Sequence, residues 1–185
     1  MSLLSSNAVP STWRRLPIVD VGTNDGTDFT MPGSKVGHRV YSFEPSPIVY
    51  ARMLRNLQQN GISVANDSVG FRSAKAGLFI LKIDSQGHEY HVLQGCVQYI
   101  RTHPVYYILL EFYPKGLRAV NIEPLTLLQF LHYELGYQCF DLGRNARNHG
   151  AMELSAFVTY YGKPDTRIGS YGRFTDLICV NFAVM

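Results

Sequence analysis

Four carboxylates stand where short apolar runs stop. Asp20 follows Leu16-Pro17-Ile18-Val19, Glu44 follows Arg39-Val40-Tyr41-Ser42-Phe43, Asp84 follows Leu78–Ile83, and Glu111 follows Val105–Leu110. Short apolar runs closed by turn formers read as buried strands. If those strands are parallel, their carboxyl ends share one edge, and ligands bind in the crevice along it. Acids on such an edge receive hydroxyls and cations, can take a proton from an acceptor, and repel phosphates. The first of these runs ends in Asp20-Val21-Gly22-Thr23-Asn24-Asp25-Gly26. Its glycines permit backbone angles that a Cβ would forbid. A strand leading through such a turn into a helix is expected to aim free backbone N–H groups at a ligand.

Glu44 lies about 22 residues past Gly22, at the end of the next strand. An acid in that place commonly takes ribose hydroxyls. The turn lacks the middle glycine of Gly-x-Gly-x-x-Gly and adds negative charge, so it would serve a pyrophosphate badly. A dinucleotide-dependent oxidoreductase is therefore the weaker reading. S-adenosylmethionine carries a ribose, an ammonium, a carboxylate and a sulfonium and no phosphate, and it suits these acids better.

The elements that must position the acids follow from the same patterning. Thr27 to Ser34 contains Pro32 and Gly33, so any helix there is brief. Pro45 and Pro47 open a helix with Val49, Met53, Leu54 and Leu57 on one face, and Asn60-Gly61 stops it. Ile62–Ala65 is expected as a weak third strand. Leu93, Cys96, Val97 and Ile100 form the inner stripe of a helix that ends at Pro104. Asn121 is expected to cap another, with Leu128, Leu131 and Leu135 inward and Gly136 closing it. Tyr137–Leu142 and Asp176–Phe182 read as the last two strands. Strands alternating with helices imply an α/β fold with a doubly wound, mostly parallel sheet.

Composition narrows the classes. A chain of 185 residues with net charge +3 and scattered basic residues does not favour a nucleic-acid partner. No run of about 18 apolar residues suggests a transmembrane helix. Residues 1–15 read as a flexible lead-in without the apolar run of a secretory signal. The three cysteines, Cys96, Cys139 and Cys179, are far apart. They read as buried free thiols, and a cytoplasmic protein is expected.

Val19-Asp20-Val21-Gly22-Thr23-Asn24-Asp25-Gly26, Tyr41-Ser42-Phe43-Glu44-Pro45 and Leu81-Lys82-Ile83-Asp84-Ser85-Gln86-Gly87-His88-Glu89 together resemble the FkbM-type methyltransferases. Val92-Leu93-Gln94-Gly95 and the closing run Asp176–Asn181 extend the resemblance over most of residues 17–182, and the Lys-Ile-Asp-x-x-Gly-x-Glu segment is its most specific part. The resemblance implies a Rossmann-like class I fold over residues 16–185, S-adenosylmethionine as cofactor, and methyl transfer to a hydroxyl oxygen. Carried over by position, Asp20, Gly22, Asn24 and Gly26 would line the methionine end, Glu44 would hold the ribose, and Asp84 would lie beside the sulfonium. Gln86 stands where many family members have Glu. The chain is also shortened between its third and fourth strands, where about a dozen residues separate Ala65 from Leu78; Asp67 and Ser68 are the weak candidates for adenine contact there.

An alcohol acceptor must lose a proton, and Asp84, His88, Glu89 and Glu111 are the candidate bases; Asp84, Glu89 and Glu111 are the catalytic assignments. Glu89 falls in the first turn of its helix, where pairing with the helix dipole is an equal explanation. His88-Glu89-Tyr90-His91 departs from zincin spacing, so no metal is assigned. A divalent cation at Asp84 and Glu111 is a minor reading. His38, His103, His132 and His149 read as surface or boundary residues. Tyr160, Tyr161 and Tyr171 read chiefly as packing, and Arg144, Arg147 and Arg173 as a solvated face. The acceptor is expected to be a small molecule or saccharide. The competing reading from another class is a catalytically silent, methyltransferase-like binding module.

Overall fold

A computed structural model of the chain describes residues 16–64, 77–143, 153–163 and 172–184. The lead-in at 1–15 and Asp67, Ser68, Arg144, Arg147, His149 and Tyr171 lie outside the described residues. The strands are β1 (Ile18–Val21), β2 (Val40–Phe43), β3 (Leu78–Ile83), β4 (Val105–Phe112), β5 (Gln138–Asp141) and β6 (Thr175–Val180). The helices are α1 (Thr30–Lys35), α2 (Pro47–Gln59), α3 (Glu89–Thr102), α4 (Pro114–Ala119), α5 (Pro124–Gln129, continued by a π-helical turn Phe130–Glu134) and α6 (Leu154–Tyr161). The strands form one mixed sheet in the order β2-β1-β3-β4-β6-β5. By contacts the chain divides into two compact units, Met1–Lys82 with His103–Val105, and Ile83–Thr102 with Tyr106–Met185.

In the first unit, β1 and β2 run parallel with Asp20 opposite Ser42 and Val21 opposite Phe43. β1 and β3 are buried over most of their length, which is why both read as continuous apolar runs. β2 is only half-buried. Beneath α2, Met53 and Leu57 pack with Met31 of α1, joined by Leu54 and Ile62.

The expected third strand is absent among the described residues 62–64, and Ala65 lies outside them. The reason is local. Gly61 takes φ +69, its N–H donates to Gln58 O, and the Ile62 N–H donates to Leu57 O. That is a Schellman ending, in which the residue after the glycine turns back to cover the helix it closes. Ile62 is thus committed to the Met31–Met53–Leu57 cluster. The same device ends α1, where Gly37 is at φ +94 and His38 N–H reaches Gly33 O. It draws His38 inward, against the expectation of a surface or boundary residue. His38 is buried, with Nδ1 2.8 Å from Leu16 O and its ring stacked on Phe79.

In the second unit, β6 is antiparallel to both neighbours, with Phe112 opposite Thr175 and Asp141 opposite Leu177. The last strand in sequence thus inserts between β4 and β5, and its two pairings are the antiparallel part of the expected mostly parallel sheet. α4 and α6 were not anticipated from sequence. Asn121 does not cap α5. It sits at φ +62 just past α4, where its N–H bonds Arg118 O and the Ile122 N–H bonds Leu117 O. An asparagine tolerates that left-handed position better than most residues. Glu123 takes the N-cap place of α5 instead.

α6 is fastened to the sheet by Phe112, Phe157 and Tyr161, whose rings are in contact. The Tyr161 hydroxyl donates to Asp141 Oδ2 at 2.5 Å, and Thr175 Oγ1 and the Gly143 N–H donate to Asp141 Oδ1. Burial, then the Asp141 hydrogen bond and its charge, push the Tyr161 phenol far above its ordinary range. Tyr161 is therefore a core residue. Tyr160 is exposed and carries the Arg173 guanidinium 4.9 Å above its ring.

The free-thiol expectation is corrected for two of the three cysteines. Cys139 and Cys179 are directly opposed in the β5–β6 register and form a disulfide. Sequence spacing hides this, because the 40-residue separation closes only through the antiparallel pairing. Cys96 alone is free, and burial pushes its thiol up. The cysteines therefore no longer support a cytoplasmic placement. Alkylation of the unfolded, non-reduced protein is expected to label Cys96 only, with Cys139 and Cys179 joining it after reduction, as read by intact mass. Labelling of all three without reductant would refute the bond. No helix among the described residues is long and apolar enough to cross a membrane.

Candidate functional site

In the first unit the site is built on the end of β1. Asp20 is fully buried. Its Oδ2 accepts from Thr30 Oγ1 at 2.6 Å, and Thr30 Oγ1 lies 2.8 Å from Ser42 Oγ. Its Oδ1 is 3.2 Å from Lys82 Nζ, close enough to pair charges but without a hydrogen bond of its own. Lys82 Nζ also donates to Gly22 O at 2.8 Å. A lysine in a strand otherwise buried needs such an acid, since an unpaired charge there would be costly to desolvate.

The turn that follows holds Gly22 at φ +75, Asn24 at +51 and Gly26 at +78. A Cβ on Gly26 would come 2.8 Å from Met53 Cγ, and Thr23 Oγ1 contacts Met53 Sδ at 3.1 Å, so the turn is clamped onto α2. The expectation of free backbone donors is corrected here. Gly22 and Thr23 both donate to Phe43 O, Gly26 donates to Thr23 O, and Asn24 donates to Glu44 Oε2 at 3.0 Å. With these four N–H groups in use, the turn presents side chains rather than an amide cradle for an anion. Those side chains are Asn24, Asp25 and Glu44. Asp25 accepts from the Thr27 hydroxyl and N–H, which hold its carboxyl below the usual range. Glu44 is fixed at both ends, because its Oε1 accepts from the Ser46 N–H at 2.9 Å.

In the second unit Asp84, Gln86 and Glu111 form a group at the ends of β3 and β4. Gln86 sits at φ +54 and its Nε2 donates to Asp84 Oδ1 at 3.1 Å and to Glu111 Oε2 at 3.2 Å. One neutral amide thus bridges two carboxylates. A glutamate at position 86 would set a third negative charge against them. Glu89 is fully buried. Its Oε1 accepts from the N–H groups of Ser85 and Gly87, both at 3.0 Å, and from Ser85 Oγ. Glu89 therefore shapes the loop that carries Asp84 and Gln86. Its Oε2 is buried without a hydrogen-bond partner. His88 and His91 are exposed neighbours, with ring centroids 5.6 Å apart.

The structure thus brings Asp20 to Lys82, Glu44 to Asn24, and Asp84 to Glu111 through Gln86. Sequence reasoning missed Lys82, Thr30, Ser42 and the bridging amide. Lys82 was legible as the one cation in the apolar run Leu78–Ile83. Thr30 and Ser42 carried no such signal.

No family model matches the chain, and no curated protein matches it. Solved structures do. Precorrin-6y C5,15-methyltransferase from Geobacter metallireducens superposes with a TM-score of 0.51 at 14% identity, covering 96% of this chain and 84% of that one. A protein from Streptococcus mutans, described as a methyltransferase and solved in complex with SAH, gives 0.53 at 10% identity, covering 91% and 90%. The human methyltransferase 10 domain containing protein gives 0.53 at 10%, covering 96% and 76%. The fold is therefore the Rossmann-like one of methyltransferases.

Proposed function

We propose that this protein is an S-adenosylmethionine-dependent methyltransferase of the FkbM type that methylates a hydroxyl oxygen on a small molecule or saccharide. The observation that carries the reading is Glu44. Its carboxylate is held by one N–H from the β1 turn and one from the loop after β2. It is thereby pre-set, with lone pairs to spare, as an acceptor for two vicinal ribose hydroxyls. The donor set fits the rest of the cofactor. A turn whose N–H groups are in use and whose side chains are acidic favours a cationic nucleoside over a phosphorylated one.

Adenosylmethionine, when bound, supplies an electrophilic methyl group on a sulfonium. Gly22, Asn24 and Gly26 form the turn proposed to seat its methionine end, and Asp20, sealed beneath that turn against Thr30 and Lys82, is assigned no contact with the ligand. Asp84 is assigned to the positive sulfur, and Glu111 to the acceptor's hydroxyl proton. Gln86 orients both carboxylates. Much of the rate advantage in such a displacement comes from alignment, with a placed base adding about 10²–10⁴-fold. Glu89 holds the loop and is proposed as a positioning residue for Asp84 and Gln86.

Calorimetric titration with S-adenosylhomocysteine tests the reading. The wild-type protein is expected to bind in the micromolar range. Glu44→Ala is expected to lose about tenfold or more, since each hydrogen bond to a charged group is worth about 1.5–3 kcal/mol. Its melting temperature should stay close to wild type. Absence of binding by the wild-type protein would overturn the assignment. Binding without methyl transfer to any acceptor, in a mass-spectrometric screen with labelled cofactor, would favour the silent module.

A further inference from the structure

We propose that Lys82 is a positioning residue for the amino-acid end of the ligand, because its ammonium cancels the Asp20 charge beneath the β1 turn and lets that turn accept a zwitterion. This rests on the adenosylmethionine reading above. The geometry is compact. Lys82 Nζ stands 3.2 Å from Asp20 Oδ1 and 2.8 Å from Gly22 O, so one cation neutralises the buried acid and ties down the first glycine of the turn. Asp20 depends on it. Thr30 serves Oδ2, but Oδ1 has no hydrogen bond and meets Lys82 through charge alone.

The surroundings make the neutralisation matter. Asp25 and Glu44 already place negative charge around the turn, and the N–H groups of Gly22, Thr23, Asn24 and Gly26 are in use. A ligand bearing an α-carboxylate therefore finds little positive compensation from these backbone groups. Without Lys82 the buried Asp20 would add a third charge of the same sign, in a setting where water screens it poorly. With Lys82 the floor of the turn is neutral, and the ligand's ammonium and carboxylate can both be tolerated. The lysine acts through Asp20 and Gly22 and is assigned no contact with the reacting atoms.

The test compares two ligands that differ at this end only. S-adenosylhomocysteine carries the amino-acid tail, and 5′-methylthioadenosine lacks it. Both are titrated at pH 8 into the 185-residue wild type, Lys82→Met, Asp20→Asn and the double variant. Lys82→Met is expected to lose about tenfold or more in affinity for S-adenosylhomocysteine while methylthioadenosine stays within about threefold. The double variant, which removes both charges, is expected to return to within about threefold of wild type for both ligands. Asp20→Asn alone should hold or raise affinity for the tailed ligand, and it decides the matter if Lys82→Met does not fold. Unchanged S-adenosylhomocysteine binding in Lys82→Met, a double variant as weak as the single, an equal loss for both ligands, or a tenfold loss in Asp20→Asn would each overturn the proposal. A wild type that binds neither ligand would refute the cofactor reading instead.

Discussion

Gly87→Ala is expected to destabilise the protein by about 3–5 kcal/mol and to lower its melting temperature by roughly 10 °C. Two costs add. Gly87 sits at φ +103, a conformation that an L side chain rarely adopts. A Cβ there would also lie 2.5 Å from both the carbonyl carbon and the oxygen of Gly116, in the backbone of α4. Backbone cannot swing aside as a flexible side-chain tip can. Gly116 offers no relief, because its own missing Cβ leaves room for the Tyr113 ring, which would be 2.4 Å from it. The loop after β3 and the start of α4 therefore approach as closely as two glycines allow. Gly95→Ala is the control. That residue is exposed within α3, and a Cβ added to it would meet nothing within 4 Å. Alanine there should be neutral or stabilising by up to about 1 kcal/mol. Thermal melts of both variants decide. A Gly87→Ala protein that melts within a couple of degrees of wild type would show that the loop does not pack on α4 in this way.

That contact illustrates what the sequence makes legible and what it does not. Gly87 is readable as part of a turn, because Ser85-Gln86-Gly87 closes a strong apolar run. Its partner Gly116 is not, since a glycine in a short helix looks like a weak helix position until the neighbouring backbone is known. β1, β2, β3, β4 and α2, α3 fall close to where periodicity puts them, because each is long or apolar enough for one pattern to dominate. Ile62 reads as strand and Asn121 as an N-cap, and both readings fail for one shared reason. Both residues belong to Schellman endings, where a β-branched residue or an asparagine serves the helix before it. Cys139 and Cys179 read as free thiols because their pairing depends on β6 running back between β4 and β5.

The candidate site divides in the same way. Which acids stand at strand ends is visible from the sequence, because it needs only the ends of apolar runs. What each acid does is not visible. Asp20 and Glu44 look alike as strand-end carboxylates, yet Asp20 is sealed under the turn against Lys82 and Thr30, while Glu44 is only partly buried and spans two loops. The difference comes from partners contributed by β3, α1 and β2, none of them near Asp20 in sequence. A buried acid with a cation beneath it tunes a site, and a half-exposed acid with two fixed oxygens can meet a ligand. The proposed division of labour follows from burial and pairing, which residue type alone does not encode.

Glu89 gives the sharpest separation of a structural from a chemical role. Glu89→Ala is expected to cost about 3–4 kcal/mol, because the N–H groups of Ser85 and Gly87 would both lose their acceptor and α3 would lose the acid of its first turn. Relief of the buried, unpartnered Oε2 offsets part of that loss. Glu89→Gln keeps one oxygen that can face both donors, so it is expected to cost only about 1 kcal/mol. The same glutamine could not serve as a base. Under the proposed methyl transfer, a Glu89 that positions the loop should leave the glutamine variant most of its transfer per folded molecule, while the alanine variant loses stability and transfer together. If Glu89 instead removes the acceptor's proton, the glutamine variant should keep its melting temperature and lose about 10²–10⁴-fold in transfer. Parallel melts and single-turnover rates on the two variants separate these outcomes. The three hydrogen bonds already on Oε1, with the carboxylate closed off from solvent, favour the first.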